Sequence, residues 1–181
     1  QTRRQRQMCI RDSNNLVSTK IKTSSGKLLD FQEYFVELKS EPKISDVIYS
    51  DSEKADITME VSNALDEAHK IVIGPSNPIL SIGPILAIQN LKEKLTNSSS
   101  TYIVSPFIEN KAIKGPSKKN FEDLGYKSDI TGIKEFYNNI GNYYIVQSGD
   151  TDKAENTIEK NILFKSTEDS SNLARYIVDH E

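Results

Sequence analysis

The sequence predicts an α/β fold: a mainly parallel sheet flanked by helices, Rossmann-like, with the N-terminal portion of the domain missing. Two observations carry the fold class. Strand-like and helix-like apolar patterns alternate from residue 46 to the end, the order that builds βαβ units. Two short runs, residues 70–74 (KIVIG) and 101–105 (TYIVS), are continuously apolar, as suits strands covered on both faces. A third observation carries the missing portion: no Gly-rich first turn, the usual opening of a doubly wound nucleotide fold, is present.

The elements follow in order. Residues 16–23 alternate and are β-branched, predicting a strand, with a turn at Ser24-Ser25-Gly26 and a second extended stretch through Leu28, Leu29 and Phe31. Phe31, Tyr34, Phe35 and Leu38 have helical spacing, closed by Glu41-Pro42. Residues 46–50 read as a strand. Ile57, Val61, Leu65 and Ala68 form an i, i+4, i+8 stripe that predicts a helix over 53–68. Residues 70–74 are the next strand. A helix over 82–95 presents Ile85, Ile88, Leu91 and Leu95, with Gln89-Asn90 placed mid-helix. The strand 101–105 follows a polar linker at 97–100. Gly115-Pro116 turns into a short helix holding Phe121 and Leu124, stopped at Gly125. A helix is predicted over 130–140, a strand over 142–148, a helix from Asp150 to about Lys160, a strand over 162–164, and a closing helix after Thr167 through Val178. Of Tyr143 and Tyr144, which point to opposite faces of their strand, one is expected in the core.

The chain has 181 residues and a formal net charge of −3, which suits one domain or part of one. No run approaches the ~20 apolar residues of a membrane span, and no secretory signal pattern appears. One cysteine excludes a disulfide framework, two histidines argue against a His-rich metal site, and the mild acidity argues against a general nucleic-acid binder. Composition therefore reads as a cytoplasmic globular protein without membrane or nucleic-acid partner.

Residues 1–13 differ from the rest. Arg3, Arg4, Arg6 and Arg11 against Asp12 give +3, leaving 19 basic and 25 acidic residues elsewhere. The string QMCIRDS resembles translated sequencing-adapter readthrough, so residues 1–13 are read as a non-native or disordered leader and Cys9 carries no chemistry; 14–181 are read as the C-terminal part of one α/β domain.

The functional signal is GPSNPILSIGP, residues 74–84, directly after a predicted strand. Gly74 permits a sharp turn, and Pro75 and Pro78 stiffen the loop. Ser76 and Asn77 place short polar groups at the carboxyl end of a parallel strand, where open α/β sheets bind ligands. Ser81 is positioned as N-cap of the helix starting at Ile82, with Pro84 in its first turn. Free N–H groups there would attract phosphate. On the residues alone, an anion cradle and an ordinary strand–loop–helix connection fit equally.

Other candidates read as structural. Asp150 and Asp152, in GDTD, fit a helix start better than a metal site. His69 caps a helix C-terminus, and His180 lies in a fraying tail.

The stretch IVIGPSNPILSIGPILAI, residues 71–88, closely resembles the central signature of the CofD family, the 2-phospho-L-lactate transferases of coenzyme F-420 biosynthesis. The likeness extends to YIVSPFIENKAIKGPSKK at 102–119, GIKEFY at 132–137, FKSTEDSSNLARYIV at 164–178 and SNNLVSTKIKTSSGKLLDFQEYFV at 13–36. Gln89-Asn90 and Glu109-Asn110 depart from the family pattern. The gluconeogenesis-factor-like proteins share the fold but carry a different loop, and a nucleotide-binding regulatory protein of that kind is the alternative.

The resemblance implies transfer of a phospholactyl or phosphoenolpyruvyl group from a guanosine-diphosphate-linked donor to the deazaflavin Fo, with release of GMP. It further implies Mg2+ and a homodimer. Gly74, Pro75, Ser76, Asn77, Ser81 and Lys114 are the expected nucleotide- and phosphate-binding residues. Lys114 is assigned to the diphosphate, whereas Lys118 and Lys119, a turn later, face water. Catalytic and metal-binding residues have no matching positions and are expected in the missing N-terminal part, leaving this chain alone inactive.

Overall fold

The computed structural model describes residues 13–98, 100–108, 111–112 (backbone), 115–138, 140–150 and 155–180. Two sheets organise them. The first is antiparallel, with strands β1 (Ser18–Thr23), β2 (Leu28–Asp30) and β3 (Ile44–Ser50) in the order β2-β1-β3. Ile21, paired with Leu29 on one side and Val47 on the other, is fully buried. The strand predicted at 46–50 is thus present but does not open the parallel sheet. β1 and β3 each bury one face, the pattern of antiparallel pairing. Between β2 and β3, Glu33–Glu37 form a single π-helical turn that buries Tyr34 and leaves Phe35 stacked on Phe31 at 5.4 Å.

The helix predicted over 53–68 is shorter. α1 spans Met59–Glu67, and the Thr58 side chain caps it by accepting from the Val61 amide. Residues 52–54 form a separate 3-10 turn, and extended Ile57 bridges to Ser13.

The second sheet is parallel. Its strands β4 (Ile71–Ile73), β5 (Thr101–Val104), β8 (Tyr143–Gln147) and β9 (Thr157–Lys160) lie in the order β4-β5-β8-β9, and a short hairpin of β6 (Phe107–Ile108) and β7 (Lys111–Ala112) follows β5. Between β4 and β5 come a π turn (Pro78–Ile82), α2 (Gly83–Leu86) and α3 (Gln89–Asn97); α4 (Ser117–Asp123) and α5 (Ile130–Tyr137) precede β8, and α6 (Thr167–Asp179) follows β9.

Strand alternation sorts the core. Ile103, Tyr144 and Val146 face Ile79, Leu91, Leu95, Phe121, Ile133 and Tyr137. Tyr102, Val104 and Ile145 face Ile162, Leu173 and Ile177. Helices therefore cover both faces, the Rossmann-like α/β arrangement the sequence predicts.

Four local expectations are corrected. Residues 157–160 are strand, not the end of a helix: Ile158 pairs with Ile145 in parallel register beside β8. Residues 162–164 are not a strand; the amides of Ile162 and Leu163 donate to Gln147 Oε1 at 3.0 and 3.2 Å, so Ile162 plugs the core from a loop. The helix over 82–95 breaks at extended Ile88, so Gln89 begins α3 and Asn90 reaches Asp56 at 2.7 Å. β4 is not covered on both faces; it is the sheet edge, and Val72 is 49% exposed.

α6 starts with a reciprocal capping box between Ser166 and Asp169. At its other end His180 is anchored rather than fraying. Its Nδ1 lies 2.8 Å from Tyr102 Oη, its ring packs on Tyr143, and Lys70 Nζ donates to the carbonyls of Ile177, Val178 and His180. The Asp150 amide donates to Gln147 O in a turn, and Asp152 lies outside the described residues.

Candidate functional site

The loop after β4 sits at the carboxyl end of a parallel strand, as the sequence predicts. Gly74, Pro75 and Ser76 are exposed, and Asn77 is half-buried. The backbone at position 74 does not require glycine. A Cβ built there would meet nothing within 4 Å, and its φ is not positive. Its smallness leaves room above the loop rather than making the turn possible.

Ser81 is not an N-cap. Winding starts three residues earlier, because Pro78 pre-sets the helical φ and Asn77 supplies the cap. Asn77 Oδ1 accepts from the amides of Ile79 at 3.0 Å and Leu80 at 3.1 Å. The amides of Ser81 and Ile82 both donate to the Asn77 carbonyl. The helix N-terminus is thus satisfied internally, and the polar surface offered to a ligand is that of Gly74, Pro75 and Ser76. Ser81 is exposed within the turn.

Behind the loop lies polar structure that the sequence does not mark. Asn77 Nδ2 donates to Asn120 Oδ1 at 2.8 Å, and Asn120 Nδ2 donates to Tyr34 Oη at 3.0 Å. Asn120 and Tyr34 are fully buried, and burial pushes the Tyr34 hydroxyl up from its ordinary range, against the lowering effect of Lys119 and Asn120. Tyr49 donates to the Ile79 carbonyl at 2.6 Å, and burial pushes its hydroxyl well above the ordinary tyrosine range. These residues come from the antiparallel sheet, its π turn and α4, far apart in sequence, so no local spacing identifies them.

Lys114 lies outside the described residues. Lys119 does not simply face water: its Nζ donates to Asp123 Oδ2 at 2.6 Å and to the Pro42 carbonyl at 2.7 Å, and the same carboxylate oxygen accepts from the Ile44 amide at 2.9 Å. Among the described residues, Lys118 pairs with Glu122 at 3.6 Å.

An apolar groove of about 400 Å³ runs between β4 and α6, with Gly74 and Pro75 at one end and Val72, Leu173 and Val178 along it. Among the described residues no three His, Cys, Asp or Glu side chains converge on a metal-sized point. No helix among the described residues is long and apolar enough to cross a membrane.

Fold and loop together define an α/β protein of Rossmann-like type with an exposed loop at the carboxyl end of a parallel strand, the end where open α/β sheets bind ligands. The profile of the family 2-phospho-L-lactate transferase CofD matches residues 8–176, and the chain belongs to that family. It is 36% identical to the 2-phospho-L-lactate transferase of Methanococcus vannielii over 176 residues, 93% of this chain and 56% of that protein. It is 33% identical to the enzyme of the same name from Methanocaldococcus jannaschii, over 92% of this chain and 56% of that protein. The chain thus spans just over half the length of these relatives. In fold it is similar to a Bacillus halodurans protein described as a member of the UPF0052 family. One crystal structure of that protein matches with a TM-score of 0.65 at 15% identity, covering 93% of this chain and 60% of that one. Another matches with a TM-score of 0.52 at 18% identity, covering 78% and 43%.

Proposed function

We propose that the full-length protein containing this chain is a 2-phospho-L-lactate transferase. It moves a phospholactyl or phosphoenolpyruvyl group from a guanosine-diphosphate-linked donor to the deazaflavin Fo, with GMP leaving. The carrying observation is the 36% identity to a transferase of that name along 93% of the chain. The loop supports the reading: Gly74, Pro75 and Ser76 are exposed at the ligand-binding end of the parallel sheet. In this reading they meet the donor's diphosphate, Asn77 shapes the loop, Ser81 lies beside it, and Lys114 supplies a cation. Phosphoryl transfer depends mainly on positioning and charge neutralisation, which is what a stiff loop and a lysine contribute. The proposal includes a cytoplasmic homodimer.

The test is direct. Purified full-length protein is given Fo, magnesium and either donor, and products are followed by mass spectrometry. Appearance of phospholactyl- or phosphoenolpyruvyl-Fo together with GMP is the expected result. Guanine nucleotide binding without any group transfer under both donors would return the protein to a non-catalytic role.

A further inference from the structure

The loop after β4 is braced from behind by a chain of hydrogen bonds that can run in only one direction. At one end is the carbonyl of Ser40, which can only accept. Tyr34 Oη donates its single proton to that carbonyl at 3.1 Å. The Tyr34 oxygen is then left as an acceptor, so Asn120 must turn its Nδ2 toward it, at 3.0 Å. That fixes Asn120 Oδ1 on the other side, where it can meet only a donor, and Asn77 supplies Nδ2 at 2.8 Å. Asn77 Oδ1 is then forced to face the amides of Ile79 and Leu80, which it caps. Polarity set at Ser40 is thus passed through two buried side chains to the residue that shapes the candidate loop.

The far end of the chain is held in an unusual way. Lys39 and Ser40 have φ of 49° and 59°, two successive non-glycine residues in the left-handed region. Such a backbone persists only where its surroundings over-determine it. Here Ser40 is buried, its amide donates to the Tyr34 carbonyl at 2.9 Å, and Lys119 grips the next turn through Pro42. Reversing one member would leave two like groups facing each other in the core, which is costly for buried polar atoms.

We propose that Tyr34 and Asn120 are positioning residues: they fix the rotamer of Asn77 and thereby the conformation in which residues 74–77 meet the donor. The second half rests on the reading that this loop contacts the donor's diphosphate, and the experiment separates the two.

Tyr34→Phe removes one hydroxyl and keeps the ring. In the full-length protein, hydrogen exchange is measured at the amides of Ile79 and Leu80, with Ile103 and Ile145 of the sheet as internal references. The chain requires exchange at Ile79 and Leu80 to rise about three- to tenfold, the equivalent of one hydrogen bond, while the references keep their protection. Unchanged exchange at both amides overturns the chain. If Tyr34→Phe does not fold, Asn120→Ser carries the same comparison. Binding of GDP and of Fo is then measured by calorimetry in the same variant. A severalfold weaker affinity for GDP with unchanged affinity for Fo supports positioning of the donor loop. Altered exchange with unchanged GDP affinity overturns that half. Failure of the unsubstituted protein to bind GDP overturns the donor reading while the exchange result still decides the chain.

Discussion

Tyr49 occupies the space that a side chain at Gly83 would need. A Cβ on Gly83 would lie 2.0 Å from Tyr49 Oη and 2.6 Å from Cζ. The phenol cannot swing away freely, because it is partly buried and bonded to the Ile79 carbonyl at 2.6 Å. The contact fastens β3 of the antiparallel sheet to the π turn and α2 behind the candidate loop.

Gly83→Ala is therefore expected to destabilise the protein by about 1–3 kcal/mol through overpacking. Tyr49→Phe alone should cost about 1 kcal/mol for the lost hydrogen bond. The double variant should cost less than the sum, since removing the hydroxyl relieves part of the clash. Urea denaturation of the three variants checks this; additive costs would mean that the two residues do not share one space.

Two other glycines give opposite expectations. A Cβ on Gly132 would sit 1.9 Å from the backbone carbonyl oxygen of Lys127, so Gly132→Ala should cost about 3 kcal/mol. A Cβ on Gly74 meets nothing, so Gly74→Ala should change stability by less than about 0.5 kcal/mol. If the loop backbone approaches the diphosphate, the same Gly74→Ala should still lower GDP affinity of the full-length protein severalfold. Stability and affinity both unchanged would remove Gly74 from the site.

Periodicity found most of what lies in the core and less of what lies at its margins. The continuous run TYIVS and the stripe of Leu173 and Ile177 marked β5 and α6, because burial on a fixed face leaves a period in the sequence. β9 carries no strand signal in the sequence because TIEK is a four-residue strand at the sheet edge, too short to show alternation. β3 lies in the antiparallel sheet, which its sequence does not show, because a lone strand carries no mark of its partner's direction. Of the site, the exposed Gly74-Pro75-Ser76 loop was legible in its turn residues. Asn120 and Tyr34 were not: their role comes from contacts 43 and 86 residues apart in the chain, which no local spacing encodes.

Acid should weaken the start of α5. Burial alone would raise the Asp129 carboxyl, but hydrogen bonds from the Thr131 side chain and the amides of Gly132 and Thr131 outweigh it and hold it below its ordinary value. A carboxyl lowered in the folded state stabilises the protein above its unfolded pKa, near ~3.9, and that contribution is lost as pH falls through the folded value. Asp129→Ala should cost about 1 kcal/mol at neutral pH, the usual worth of an N-cap. Its melting temperature should approach that of the unsubstituted protein as pH drops below about 4. A difference that stays constant from neutral to acid pH would show that the loss is not of the charged cap.

The lysines around Gly115-Pro116 should separate by function, and Lys119 is the informative one. It joins α4 to the chain entering β3, through Asp123 and the Pro42 carbonyl, and the Asp123 side chain is only 11% exposed. Lys119→Met would leave that carboxylate with the Ile44 amide as a partner and without its cation. A loss of about 1–3 kcal/mol in stability follows, with little direct effect on donor chemistry. Lys118, paired loosely with Glu122 at 3.6 Å, should change stability by less than about 0.5 kcal/mol when replaced by Ala. Lys114→Ala should do the reverse of Lys119→Met. A charge-assisted contact to phosphate contributes roughly 1.5–3 kcal/mol, so donor affinity in the full-length protein should fall about tenfold or more. Thermal unfolding and GDP calorimetry on the three variants resolve the assignment. If Lys114→Ala leaves GDP affinity intact, or if all three weaken it alike, the loop is a diffuse basic surface and Lys114 has no particular hold on the diphosphate.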